Sequence, residues 1–199
     1  MSQKLFSTEL EQWLKSKHPK TIYGLGEVFA ERSFAALFIL LMIPAALPLP
    51  TGGVTHVFEI IVVLLALELI AGRKSVWVPK RWRHINIGKP LEKKALPLVI
   101  KIIRWFERFS RPRFRNTITS QAGHTLIGLL IIFLTIVAFI APPFSGLDTL
   151  PSAGVVILSL GILLGDIIIV FIGLIVGLVG VALTALLGSL LVKTVQHLF

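Results

Sequence analysis

Residues 33–72 read SFAALFILLMIPAALPLPTGGVTHVFEIIVVLLALELIAG. Two apolar runs, 33–47 and 54–71, flank the loop Pro48-Leu49-Pro50-Thr51-Gly52-Gly53, and the first run carries Pro44 near its end. Residues 124–165 read HTLIGLLIIFLTIVAFIAPPFSGLDTLPSAGVVILSLGILLG. They repeat the organisation, with runs 124–141 and 152–165 around Pro142-Pro143-Phe144-Ser145-Gly146. A fifth run, 167–192, follows Asp166. Proline and glycine stand where an apolar chain has to turn, so each pair predicts a helix–loop–helix hairpin.

A shift of 93 residues lays the first hairpin on the second without a gap. Leu37, Ile39, Leu41, Ile43 and Ala45 meet Leu130, Ile132, Leu134, Ile136 and Ala138. Pro50 and Gly53 meet Pro143 and Gly146, and Gly72 meets Gly165. Apolar matches are cheap in so biased a composition, but turn residues in phase are not. A duplicated unit is expected, an organisation common among transporters.

Crossing a hydrocarbon core takes about 20 helical residues. The fifth run is long enough. The first and fourth reach only about 22 Å at 1.5 Å per residue. Two arrangements stay open: full hairpins completed by flanking residues, or re-entrant hairpins whose tips stop inside the membrane. The latter survive only where their backbone is buried in protein or faces water.

Composition excludes a soluble globular domain. Of 199 residues 55% are hydrophobic and 15% charged, against about 25% charged in an ordinary soluble domain; the mean hydropathy is +0.87. Yet the formal net charge is +10. Fourteen of the 20 basic residues fall between Arg73 and Arg115, opposed only by Glu92 and Glu107, and none lies from Asn116 to Val192. Lys/Arg bias in short loops marks the cytoplasmic side. It places residues 73–115 and the N-terminal stretch in the cytoplasm, makes the two hairpins parallel rather than inverted, and puts the C-terminus outside. Basic charge concentrated in this way argues for membrane topology, and nucleic acid is not an expected partner.

The expected fold is an all-α integral membrane protein. Residues 1–31 form a cytoplasmic segment, 32–72 the first hairpin, 73–120 a basic cytoplasmic segment, 121–165 the second hairpin and 166–199 a C-terminal transmembrane helix. Thr8-Glu9-Leu10-Glu11 has the form of a capping box opening a helix to about Lys17, with Leu10, Trp13 and Leu14 on one face. That helix either rests on the membrane or packs on the rest of the chain. Nothing in residues 1–31 resembles a secretory signal.

Within the basic segment, Leu91, Ala95, Leu98, Val99, Ile102, Ile103, Phe106 and Phe109 recur at helical spacing, and Lys93, Lys94, Lys101, Arg104 and Arg108 fill the remainder. This predicts an amphipathic helix over 91–109. It suits the plane of an anionic inner leaflet, where each nearby basic residue contributes about 1 kcal/mol. Packing of the same stripe on the chain's own core is the alternative.

Ionisable residues at membrane depth are candidate functional groups. Here they are Glu31, Arg32, His56, Glu59, Glu68 and Asp166. His56 and Glu59, spaced i, i+3, share a helix face and could relay a proton or hold a polar substrate, or could lie at the interface. Glu68 is one turn from Arg73, the expected partner. Asp166 after Gly165 reads as a helix boundary, and Asp148 as a solvated loop residue. Gly161-x-x-x-Gly165 and Gly173-x-x-x-Gly177 let helices approach closely, within the chain or between copies in a homo-oligomer. The five His show no metal-ligand spacing and there is no Cys. With no P-loop or nucleophile elbow, no catalytic residue, metal or cofactor is expected.

Several short motifs occur in order: Leu25-Gly26-Glu27, Glu31-Arg32-Ser33-Phe34, Leu47-Pro48-Leu49-Pro50, Gly72-Arg73-Lys74 with Trp77-Val78-Pro79, Gly123-His124-x-x-Ile127-Gly128, Pro142-Pro143 and Gly165-Asp166. In these the chain resembles the ExoD family of bacterial membrane proteins from about residue 20 onward. It departs at Ala30-Glu31-Arg32, where the family has Gly-Glu-Arg, and at His124-Thr125, where Glu-Arg would stand. The resemblance implies an inner-membrane location and a link to exopolysaccharide synthesis and, in symbiotic bacteria, to nodule invasion. It implies no reaction. The expected role is non-enzymatic support of exopolysaccharide synthesis or export, with the bilayer, polysaccharide-assembly proteins and a second copy of the chain as partners. The alternative is a small transporter or ion- or proton-coupled permease built on the repeated hairpins.

Overall fold

The structure, a computed structural model, describes residues 5–16, 21, 24, 32–47, 54–73, 75–77, 96–141 and 145–198, with side chains through Leu187. Among these residues the chain forms eight helices and no strand element: α1 (Phe6–Lys15), α2 (Arg32–Ala46), α3 (Val54–Ile70), α4 (Leu96–Glu107), α5 (Arg115–Ile118), α6 (Gln121–Ile140), α7 (Thr149–Leu164) and α8 (Ile167–Leu198). The expected positions Glu31, Pro48, Pro50, Gly53, Lys93, Lys94, Pro142 and Pro143 lie outside the described residues.

Helix α2 is apolar on every side, and a helix of that kind belongs in a core. Ser33 through Ile43 are all buried. Around it stand α3, α7 and α4, with α7 its most extensive partner. Helix α3 packs chiefly on α6. The two run antiparallel: His56 meets Phe139 near one end, and Gln121 Nε2 donates to the Ile70 carbonyl at 2.7 Å near the other. The α2–α7 and α3–α6 contacts are therefore more extensive than α2–α3 and α6–α7.

Helices α3 and α7 end in the same way. Gly72 has φ +74° and Gly165 φ +68°. Gly72 N donates to Leu69 O at 3.0 Å and Arg73 N to Glu68 O at 3.2 Å; Gly165 N donates to Ile162 O at 3.2 Å and Asp166 N to Gly161 O at 3.0 Å. Each is a Schellman cap, which needs a left-handed residue at that point. Gly146, the third glycine with positive φ, turns the chain before α7.

Small residues bring α7 and α8 into backbone contact. A Cβ at Gly154 would lie 2.5 Å from the Gly177 Cα, one at Gly173 2.5 Å from Leu158 N, and one at Gly161 2.7 Å from Val170 N. Of the four expected packing glycines, Gly161, Gly173 and Gly177 thus serve contacts inside the chain, and Gly165 serves the cap.

Helix α1 packs on α4. It buries Phe6, Leu10 and Trp13, and α4 buries Leu96, Val99, Ile100 and Ile103. Of the two placements open to α1, the structure shows the one against the chain. The capping box does not form: α1 opens at Phe6, Leu5 O accepts from Thr8 N and Glu9 N, and Thr8 lies inside the helix. Hydrogen bonds tie the pair. Ser7 N donates to Glu107 Oε1 at 3.0 Å, Ser7 Oγ donates to Glu107 Oε2, and Glu11 accepts from Lys15 at 2.8 Å and from Arg104.

The buried face of α4 is rotated from the expected stripe. Leu96 and Ile100 are buried, Leu98, Ile102 and Phe106 only partly, and Phe109 is 70% exposed. The reason is that α4 has protein on more than one side, α1 on one and α2 and α7 on another. Its apolar arc is spent on the chain, while Lys101, Arg104 and Arg108 remain exposed.

Two helices, α6 and residues Ile167–Leu187 of α8, are long and apolar enough to cross a membrane. Helices α2, α3 and α7 have 15, 17 and 16 residues, about 22–26 Å at 1.5 Å per residue. Large apolar side chains nevertheless face outward at helical spacing. They are Val57, Ile60, Leu64 and Leu67 on α3, Leu126, Leu129, Phe133, Ile136 and Ile140 on α6, and Phe171, Ile175, Leu178 and Leu186 on α8.

Candidate functional site

Glu59 is the most deeply buried carboxylate among the described residues, at 1% exposure. Two features of α3 put it there. Val57, Ile60 and Leu64 take the outward face, which turns position 59 inward, and Val62 and Ala66 continue the buried face beside it. Its Oε2 is 2.8 Å from His56 Nδ1, the i, i+3 partner, and the His56 ring lies 4.8 Å from that of Phe139, centroid to centroid. Glu59 Oε1 has no hydrogen-bond partner. Neither has Thr135 Oγ1, fully buried across the interface on α6.

Both residues line one cavity of about 220 Å³, walled otherwise by Ile60, Val63, Leu64, Ile136 and Phe139. Ile60, Leu64, Ile136 and Phe139 are each at least 44% exposed, so the cavity opens on the outer apolar face. Glu59 and Thr135 each stand five residues from the neighbouring helix end, about 8 Å along the axis. A buried oxygen without a partner is costly, and Glu59 and Thr135 each hold one beside a cavity whose accessible lining is hydrocarbon.

The other expected polar residues are not at this site. Asp166 is 3% exposed and sits at the helix boundary expected of it. Its Oδ1 accepts from Ile168 N at 3.1 Å, capping α8, and its Oδ2 accepts from Arg111 N at 2.9 Å. It therefore fastens the basic segment to the α7–α8 turn. Glu68 does not pair with Arg73 as expected. Its Oε2 accepts from Trp77 N at 2.8 Å, and the Arg73 guanidinium stands over the Trp77 ring at 5.7 Å. The chain turns back after the Gly72 cap and brings the Trp77 backbone to Glu68 first. Asp148 is half-buried at the start of α7, with no side-chain cap hydrogen bond.

Arg32, at the start of α2, lines a separate cavity of about 120 Å³ with Glu107, Arg115, Leu163 and Leu164, among others. Its Nη1 stands 3.6 Å from Glu9 Oε2. This cavity gathers the first residue of α2, the end of α4 and the end of α7 at one pole. Arg73, Arg111 and Arg113 follow or precede helices that terminate there, whereas the His56–Glu59 pair lies toward the other end of α3. Among the described residues no group of three His, Cys, Asp or Glu side chains could hold a metal ion.

Nothing in the sequence marks Thr135. A lone hydroxyl in an apolar helix usually closes onto the carbonyl one turn back, as Ser159 does onto Val155 at 2.7 Å, so its type and position carried no sign of a vacancy.

Residues 6–186 match the family described as "Exopolysaccharide synthesis, ExoD". The chain belongs to the ExoD family. Two relatives are similar to it over much of its length. An uncharacterized protein of Synechocystis sp. is 28% identical over 196 residues, covering 97% of this chain and 88% of that protein. Protein ExoD of Rhizobium meliloti is 33% identical over 144 residues, covering 68% of this chain and 57% of that protein. No solved structure matches this ExoD-family chain. The family relationship suggests a role in exopolysaccharide synthesis.

Proposed function

We propose that this ExoD-family chain is a multi-pass protein of a bacterial inner membrane that supports exopolysaccharide synthesis or export without catalysing a step itself. The family match over residues 6–186 carries the reading. The apolar stripes facing outward on α3, α6 and α8 support the membrane part, because soluble proteins rarely expose contiguous apolar surface on that scale. So does the gathering of Arg73, Arg111 and Arg113 at one pole, which would be cytoplasmic together with the N-terminus. In this reading the two hairpins are parallel repeats, the exposed Lys101, Arg104 and Arg108 of α4 meet anionic lipid, and polysaccharide-assembly proteins or a second copy dock from the same side.

The natural chain has no Cys, so single-cysteine labelling tests topology directly. Arg113→Cys should react only from the cytoplasm and Ser145→Cys only from outside, in membranes that resist carbonate extraction. Loss of the gene should lower secreted polysaccharide, and both variants should restore it. Labelling of both positions from one side, or unchanged polysaccharide, contradicts the reading.

The pairing of buried Glu59 with half-buried His56 supports a second reading, an ion- or proton-coupled permease. Liposome flux of wild type against Glu59→Gln tests it: a carrier loses coupled flux in the variant. Equal flux in both, or none in either, removes Glu59 from any transport mechanism.

A further inference from the structure

The cavity of about 120 Å³ at the pole where α2 begins has two arginines in its wall, Arg32 and Arg115. Arg115 is half-buried, and among the described residues its guanidinium has no hydrogen bond or ion pair. Packing holds its stem: a Cβ at Gly165 would lie 3.0 Å from the Arg115 Cγ. Arg32 stands over the Phe6 ring, 5.9 Å from its centroid. Its Nη1 is 3.6 Å from Glu9 Oε2, beyond hydrogen-bond reach. No nitrogen of either guanidinium is sealed in the protein without a partner, and Arg32 keeps 32% of its side-chain surface exposed. Both therefore carry open N–H groups on the wall of one cavity.

The neighbouring carboxylates are already engaged. Glu107, on the same wall, accepts from Ser7 N at 3.0 Å and from Ser7 Oγ. Asp166 accepts from Ile168 N and Arg111 N. Pro112 also lines the cavity, and the exposed Arg111 and Arg113 beside it add positive potential.

We infer that this pocket binds a phosphate group between Arg32 and Arg115. A guanidinium has five N–H donors and no acceptor, so the ligand has to bring acceptors and negative charge. The planar fork of arginine matches carboxylate and phosphate oxygens. A carboxylate brings two oxygens and one charge. A phosphate monoester brings three oxygens and close to two charges at neutral pH, one for each arginine. The volume is about four times one water's share of about 30 Å³, room for such a head group. Phe6, Leu163 and Leu164 make the rest of the wall apolar, so either a soluble phosphate or the phosphate head of a lipid fits the chemistry. The pocket requires neither the membrane placement nor the polysaccharide role proposed above.

Phenylglyoxal modification of the full chain, read at each arginine by peptide mass spectrometry, tests this. In detergent at constant ionic strength, inorganic phosphate should slow modification of Arg32 and Arg115 and leave the exposed Arg108 unchanged, while acetate should protect neither. In phosphatidylcholine nanodiscs, added phosphatidic acid forms the lipid arm. Protection in either arm supports the inference, and the arm that protects names the source. A phosphate shared by both arginines couples them. Arg115→Gln should therefore raise the concentration that half-protects Arg32 about tenfold, the effect of one lost charge-assisted hydrogen bond. Arg115→Lys keeps the charge without the fork and should fall between. Protection in neither arm, equal protection by acetate or of Arg108, or an Arg32 response unchanged in Arg115→Gln overturns the inference.

Discussion

Gly72 and Gly165 stand 93 residues apart and occupy the same structural position, each a left-handed residue closing an apolar helix with the same pair of backbone hydrogen bonds. The shift that pairs them in sequence also exchanges α2 with α6 and α3 with α7. It turns the α2–α7 contact into the α3–α6 contact, the two most extensive contacts between the hairpins.

Alanine at either glycine should cost about 1 kcal/mol, the penalty for a side chain in left-handed backbone. A Cβ at Gly72 would meet the end of the Gln121 side chain at 2.8 Å, and one at Gly165 the Arg115 Cγ at 3.0 Å. To yield, Gln121 would give up its hydrogen bond to the Ile70 carbonyl, while the Arg115 stem need shift only a few tenths of an ångström, so Gly72 should lose somewhat more. Thermal unfolding in detergent should show a loss for each single variant, the larger at Gly72, and their sum in the double one. A loss at only one position would contradict this.

Asp166→Ala removes the α8 cap and the contact to Arg111 N together. It should cost about 2–3 kcal/mol, a cap plus a charge-assisted hydrogen bond. Asp166→Asn keeps one acceptor and should recover part of this. Trypsin is a sensitive readout: cleavage after Arg113 should accelerate in the alanine variant and less so in the asparagine one. Cleavage unchanged in Asp166→Ala would show that the loop is held by other contacts.

Gly173→Ala places a Cβ about 2.5 Å from Leu158 N and 3.0 Å from Gly154 O. Backbone cannot yield as a side chain tip can, so the two helices must part, at a cost of about 1–3 kcal/mol. Because this seam is internal, chemical cross-linking should report the same oligomeric state as wild type. A variant that stays stable but loses a cross-linked oligomer would place the seam between copies.

The Glu11 carboxyl is held below its ordinary value of 4.5 by hydrogen bonds from Lys15 and Arg104 and by their positive charge. A depressed acid contributes stability that is complete above the unfolded value and fades as pH falls through the folded one. Amide exchange in α1, corrected for the intrinsic pH dependence of exchange, should therefore rise below about pH 4.5, with no corresponding change as pH rises above it. Glu11→Gln should remove that component of the pH dependence. Exchange that rises equally in the variant would assign the loosening to another carboxylate.

Much of this was legible in the sequence. The five apolar runs foretold α2, α3, α6, α7 and α8 to within a few residues, because only an apolar stretch bounded by Pro, Gly or Asp can do so little else. Asp166 was legible for the same reason: an acidic residue after a glycine, between two apolar runs, has a helix end to cap. The partners of the amphipathic segments were not legible. Periodicity states how wide an apolar face is and leaves open whether lipid or protein covers it; only the fold turns Trp13 and Ile103 toward the interior. Glu59 was visible as a carboxylate in an apolar run, but its site needs Thr135 from another helix, and no spacing within one helix encodes a cavity between two.

Helix α2 is the first of the apolar helices to be synthesised, yet its most extensive partner, α7, is complete only at Leu164. Between those events the ribosome adds more than a hundred residues, at roughly 5–20 per second. For several seconds α2 must wait with every face apolar and its chief neighbour unmade. The hairpins are thus not two modules finished in turn. The first becomes native only when the second arrives, and a chain cut short in the basic segment leaves α2 as an unsheathed helix for quality control to find.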